Sequence, residues 1–143
     1  MMEICDFWPD AKIPTVSGRP AITAASVFES DIDAEASIGV VSNFGAGRAG
    51  SFIVAALAIE KLRAAEIPNI RDLAVLVRNQ RPGAIETFPQ YVFSHIIPLT
   101  YSLKHVMSAT LKAKVEKLIS QLEQFAFEKM TEDDDDEEED ATD

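Results

Sequence analysis

The sequence predicts an α/β fold with a small sheet, several helices and a disordered acidic tail. A strand is predicted over residues 37–42, a short run rich in β-branched side chains that ends at a glycine-rich turn. A helix is predicted after that turn, because residues 51–66 are rich in alanine, leucine and glutamate. The tail is predicted from nine consecutive acids at 132–140, which repel one another and cannot bury themselves.

The elements on either side of this strand and helix are set by prolines and glycines. Residues 1–20 contain three prolines and a glycine and are predicted as loop, and residues 21–28 could form a short helix. Pro68 should end the helix that follows the turn. Asn69 then stands where the N-cap of the next helix is expected.

Three further helices are predicted from apolar periodicity. Residues 70–80 carry one apolar face and end at Pro82-Gly83. Thr87 can cap the next helix, which Pro98 should kink or split. Residues 108–130 form an amphipathic helix of about two heptads, which we interpret as packing on its own domain and not as a coiled coil with a partner. Its stripe comprises Leu111, Val115, Leu118, Leu122 and Phe125.

Charge and composition exclude several classes of site. The net charge of the 143-residue chain is −11, but without the ten acids of the tail 14 acids face 13 bases, so the body is near neutral. The single cysteine, Cys5, excludes an internal disulfide and a zinc site built on paired cysteines. His95 and His105 are too far apart in sequence for an i, i+4 metal pair. We expect no metal, cofactor or nucleic-acid partner.

Location is inferred from what the sequence lacks. No apolar stretch reaches the roughly 18 residues that a membrane span requires. Acidic residues interrupt the N-terminus where a signal peptide would be apolar. We therefore expect a cytoplasmic protein without a membrane partner.

The segment VSNFGAGRAGSF, residues 41–52, is the strongest candidate for chemistry. A strand followed by a glycine-rich loop and a helix points backbone N–H groups into one concavity, and the helix N-terminus adds partial positive charge. Arg48 stands at the end of the loop, where its guanidinium could grip two phosphate oxygens. From these residues alone, an anion site and a purely structural turn are equally good interpretations.

Two further motifs make the segment resemble a known family. Trp8-Pro9-Asp10 lies upstream and QRPGAIETFPQYVF, residues 80–93, lies downstream. In this order the three motifs resemble the acid loop, the phosphate-binding signature and the glutamine-bearing loop of classical tyrosine-specific protein phosphatases. The resemblance covers residues 7–104 and implies a truncated phosphatase-like fold with only a remnant of the family's sheet.

The resemblance also implies a role for each site residue. Asp10 stands at the general-acid position beside Trp8, Arg48 at the phosphate clamp and Gln90 at a second glutamine of the downstream loop. The phosphate-binding loop would comprise Asn43, Phe44, Gly45, Ala46 and Gly47.

Several positions depart from the family pattern. Ser42 stands where the family has its nucleophilic cysteine, and a serine hydroxyl is a much weaker acid than a thiol held at low pKa. Val41 replaces a histidine, Ala49 replaces a hydroxyl residue, and Glu86 replaces the glutamine that positions the hydrolytic water. Phe44 could crowd the cradle. Together, these changes favour a site that no longer catalyses the family's reaction.

The resemblance covers the C-terminal half of a phosphatase domain. We therefore divide the chain into a partial phosphatase-like domain at 1–106, the amphipathic helix at 107–130 and the disordered acidic tail at 131–143. The central strand of the family's sheet would lose its neighbours here, which suggests either a protein partner covering the exposed sheet edge or a fragment of a longer product.

Four functions stay open at this stage. The leading hypothesis is a pseudophosphatase that acts as a scaffold or binds a phosphotyrosine protein or peptide weakly. The alternatives are a divergent tyrosine phosphatase of low activity, an interaction module that uses its acidic tail, and a fragment without a function of its own.

Overall fold

The computed structural model describes Trp8, residues 39–105 and residues 108–139. Within these residues the chain forms four helices: α1 (Gly47–Arg63), α2 (Ile70–Gln80), α3 (Phe88–His105) and α4 (Ala109–Glu139). Helix α1 packs against both α2 and α3, and α4 packs along α3. None of these helices is both long enough and apolar enough to cross a membrane.

The expectation of an α/β fold is wrong for the part of the chain that the structure describes. That part is helical and contains no strand or sheet. Residues 39–42, the end of the predicted strand, are irregular, and Val41 is 92% exposed. A strand is stabilised by backbone hydrogen bonds to a neighbouring strand, and the described residues offer no extended segment to pair with it. The predicted helix over 21–28 lies outside the described residues.

Local capping sets two of the helix starts as the sequence predicts. The side chain of Asn69 accepts a hydrogen bond from the backbone N–H of Asp72, so it caps α2. The hydroxyl of Thr87 accepts from the backbone N–H of Gln90 at 3.4 Å and caps α3. Pro98 does not split α3, which continues to His105. Pro98 is itself buried, so packing retains the helix despite the missing N–H.

Two apolar clusters form the core on opposite faces of α1. The first joins α1, α3 and α4 with Trp8 and centres on Ile59, Ile96 and Ile97. The second joins α1 and α2 with the segment that precedes α3, through Ala84 and Ile85. This segment carries the glutamine-bearing motif, so the second cluster fixes its position against α1.

The amphipathic helix packs on its own domain through part of its stripe. Val115 and Leu122 contact the first cluster, where Ile119, Ala126 and Met130 are buried. Leu111, Leu118 and Phe125 are about half exposed. Helix α4 continues to Glu139, nine residues beyond the predicted boundary at 130, and residues 140–143 lie outside the described part of the chain. Disorder of the tail in solution stays a prediction.

Candidate functional site

A tight turn precedes α1. The backbone N–H of Gly45 donates to the carbonyl oxygen of Ser42 at 3.0 Å, and Gly45 has φ of +62°, a left-handed conformation that favours glycine. The side chain of Arg81 donates to the carbonyl oxygen of Phe44 at 2.9 Å and so ties the turn to the segment after α2. The side chain of Phe44 is 71% exposed, so it points away from the core.

The first turn of α1 lies against the segment 84–90. The carbonyl oxygen of Ala46 accepts from Gly50 N–H at 2.8 Å and also from Ile85 N–H at 3.4 Å. A Cβ at Gly50 would lie 2.7 Å from the nitrogen of Ile85, so the close approach requires glycine. Ile85 has φ of +59°, which is unfavourable for a β-branched residue and is held by its burial.

Arg48 links the signature segment to the upstream motif. Its Nη1 atom donates to the backbone carbonyl oxygen of Trp8 at 2.8 Å. The Trp8 ring is buried and meets the ring of Phe93 edge to face, with centroids 5.0 Å apart. Two segments that are 40 residues apart in sequence are therefore adjacent at this site.

Glu86 and Gln90 converge on the first residue of α1. The Oε1 atom of Gln90 accepts from the backbone N–H groups of Glu86 at 3.0 Å and Thr87 at 3.3 Å. These two bonds orient the carboxamide. A Cβ at Gly47 would lie 2.6 Å from Gln90 Nε2 and 2.8 Å from Glu86 Oε2, so only glycine leaves room for both side chains.

The structure brings most of the predicted site residues together. The turn and the start of α1 contain residues 42–48. Glu86 and Gln90 lie beside Gly47, and Arg48 is hydrogen-bonded to Trp8. Asp10 lies outside the described residues. Their catalytic and phosphate-binding roles stay predictions.

Sequence reasoning missed the contribution of Arg81. Arg81 belongs to the Gln-Arg-Pro-Gly motif, and its position in that motif was the available signal for a role near the loop. Gly50, in contrast, is one of the glycines of the signature segment that the sequence indicates as sites of close approach, one helical turn after Gly47.

The arrangement suits recognition of an oxyanion. A helix N-terminus and a turn of backbone amides attract negative charge, and Arg48 supplies a permanent cation. Within residues 39–105 and 108–131, together with Trp8, no cluster of three histidine, cysteine or acidic side chains could hold a metal ion. The groups at the turn would hold an anion through hydrogen bonds and charge.

Comparison with known proteins agrees with this geometry. The family model for protein-tyrosine phosphatase matches residues 3–100. The chain is 67% identical over 135 residues to a Caenorhabditis elegans protein provisionally named a tyrosine-protein phosphatase, covering 94% of this chain and 31% of the relative. It is 30% identical over 95 residues to human receptor-type tyrosine-protein phosphatase alpha, covering 66% of this chain and 12% of the relative.

The chain thus spans less than a third of the length of either relative. No solved structure matches it significantly. The family match covers the upstream tryptophan motif, the turn before α1 and the glutamine-bearing segment in one continuous stretch. The chain belongs to the protein-tyrosine phosphatase family.

Proposed function

We propose that the chain is a pseudophosphatase module that binds a phosphotyrosine-containing protein or peptide weakly and does not hydrolyse it. The proposal rests on Ser42, the residue at the start of the turn. The carbonyl of Ser42 closes the turn onto Gly45, and its side chain is a hydroxyl at the position where we place the family's nucleophilic thiolate. A hydroxyl ionises far less readily than a thiol and needs an adjacent base to attack phosphorus.

Weak binding is supported by the groups that remain. The N-terminus of α1 presents backbone donors that Ala46 does not cap with a side chain, and Arg48 is a cation that cannot lose its proton near neutral pH. Val41 and Phe44 beside the turn are largely exposed, so these two side chains do not enclose a bound phosphate. A phosphate bound there would keep much of its hydration, so we expect only modest affinity.

A scaffold role is supported by the same exposed side chains. Val41 and Phe44 form an apolar rim next to the turn, and a partner protein could cover them while its phosphotyrosine enters the cradle. The proposed partner is therefore a phosphotyrosine protein that also offers apolar residues beside the modified side chain.

A divergent phosphatase of low activity is the second candidate. The hydrogen bond from Arg48 to Trp8 favours it, because this bond holds the segment that precedes Asp10 beside the turn. An acid near the leaving group assists hydrolysis only when a nucleophile attacks phosphorus, which Ser42 would have to do.

Two measurements separate these candidates. Titration with a phosphotyrosine peptide, followed by backbone amide chemical shifts, should perturb residues 43–48 in the native chain and not in Arg48→Ala. Turnover of an aryl phosphate should stay at background. Turnover that Arg48→Ala abolishes would establish the enzyme instead. Peptide-induced shifts away from residues 43–48 would place binding elsewhere.

A further inference from the structure

The carboxamide of Gln90 carries an unused hydrogen-bond donor at the start of α1. Gln90 is fully buried, and its Nε2 atom has no hydrogen-bond partner within the described residues. Rotating the carboxamide by 180° would break the two backbone hydrogen bonds to Oε1, so Nε2 cannot gain a partner in this way without losing them. A buried amide donor without an acceptor costs about 1–3 kcal/mol, so this atom requires an oxygen.

The Gln90 carboxamide lies against the first residue of α1. Its Nε2 and Oε1 atoms lie 2.6 and 2.7 Å from the position that a Cβ of Gly47 would occupy, and Glu86 Oε2 lies 2.8 Å from the same position. The start of α1 therefore has an amide donor and a carboxylate oxygen packed beside it. Glu86 already brings a carboxylate oxygen to this place.

Among the described residues, the first turn of α1 and its N-cap contribute no acid to this helix end. Ala46 provides no side-chain cap to α1, and the first turn of the helix contains no acidic residue. The partial positive charge of an uncapped helix N-terminus favours a nearby anion. The Glu86 carboxylate is placed to supply that negative charge from the segment before α3.

We propose that Glu86 is an internal anion that competes with phosphate for the N-terminus of α1, and so sets the low affinity of the cradle for dianionic ligands. This inference rests on the proposed function, because it assumes that the cradle is where phosphate binds. The Glu86 carboxylate lies beside the helix end that a phosphate oxygen would approach, next to the Gln90 donor but without a hydrogen bond to it. A bound dianion would also be repelled by the charge of Glu86, which a glutamine would not carry.

The test is titration with inorganic phosphate of the native chain, Glu86→Gln and Glu60→Gln, followed by the backbone amides of residues 43–48 and the Gln90 side-chain amide. Glu86 is exposed, so its replacement should not disturb folding. Glu60→Gln removes the same charge at the far end of α1, about 20 Å away at 1.5 Å per residue. We expect Glu86→Gln to bind phosphate about tenfold more tightly, as removal of one charge about 5 Å from a dianion predicts. The phosphate affinity of the control should stay within about twofold of that of the native chain, because a charge this far from the ligand acts on it only weakly.

The outcomes distinguish this inference from the proposed function. Equal affinity of the native chain and Glu86→Gln, with shifts at residues 43–48 in both, would overturn the inference and leave the proposed function standing. Binding seen only with Glu86→Gln would support the inference and show that the native cradle is closed to phosphate. No binding by either variant would overturn both. An equal gain in phosphate affinity in Glu60→Gln would show that the effect comes from the net charge of the chain, and it would overturn the inference.

Discussion

Arg48 donates a hydrogen bond from Nη1 to the backbone carbonyl oxygen of Trp8, and the bond joins the start of α1 to the first residue of the upstream motif. The carbonyl holds the guanidinium in place before any ligand binds. On the proposed function, a phosphate would then meet a preoriented cation, which lowers the conformational cost of binding.

Replacement of Arg48 by alanine should release Trp8 from the core. Trp8 is the only tryptophan in the sequence, so tryptophan emission reports on the surroundings of Trp8 alone. We expect a red-shifted emission, greater quenching by acrylamide and a loss of stability of about 1.5–3 kcal/mol, as for a hydrogen bond to a charged group. Arg63→Ala, an exposed site at the other end of α1, is the matched control and should leave the emission unchanged. An unchanged spectrum in Arg48→Ala would show that the ring packing against Phe93 alone holds Trp8.

Ser42→Cys should not restore full phosphatase activity. The substitution supplies a thiol, but Val41, Ala49 and Glu86 would still lack the groups that stabilise the thiolate and position water. Steady-state turnover of an aryl phosphate by the native chain and by Ser42→Cys measures this directly. Combining Ser42→Cys with Arg48→Ala controls for contaminating activity. Turnover by Ser42→Cys at the level of an intact phosphatase domain would refute the proposal that several other positions no longer support catalysis.

Gly47→Ala should destabilise the site far more than an alanine at an open glycine. The new Cβ would lie within 3 Å of atoms of Gln90 and Glu86, and the buried carboxamide has little room to move. Overpacking of this kind costs about 1–3 kcal/mol. Gly39→Ala is the control, because nothing lies within 4 Å of its Cβ position. Chemical denaturation of both variants gives the comparison, and equal midpoints would show that Glu86 and Gln90 move aside freely.

Local signals in the sequence were sufficient for the caps and for the helix after the glycine turn. Asn69 and Thr87 each accept from an amide three residues away, so their types and positions predict the helix starts. The glycines at 45, 47 and 50 indicated close backbone approach, and each has a neighbour across the site: Arg81 beside Gly45, Gln90 and Glu86 beside Gly47, and Ile85 beside Gly50.

Non-local pairing explains what the sequence did not predict. A β-branched run indicates a strand only if another strand lies beside it, and residues 39–42 have no such neighbour among the described residues. The bond from Arg81 to the Phe44 carbonyl crosses 37 residues, and no local pattern specifies it. The convergence of Glu86 and Gln90 on Gly47 likewise depends on how α3 packs on α1.

Removal of the acidic tail should leave the folded body almost unchanged. The nine acids at 132–140 repel one another, and physiological salt screens this repulsion only beyond about 8 Å, farther than adjacent side chains are apart. Anionic residues at a helix C-terminus are also unfavourable, so the helical backbone of residues 131–139 should contribute little to stability. Met130 is buried in the core and is therefore the last residue to keep.

We expect the full chain and a chain that ends at Met130 to melt within about 2 °C of each other, a change of a few tenths of a kcal/mol at most. A melting temperature several degrees lower would mean that the tail docks on the body, with Lys112, Lys114 and Lys117 as the first residues to test by mutation.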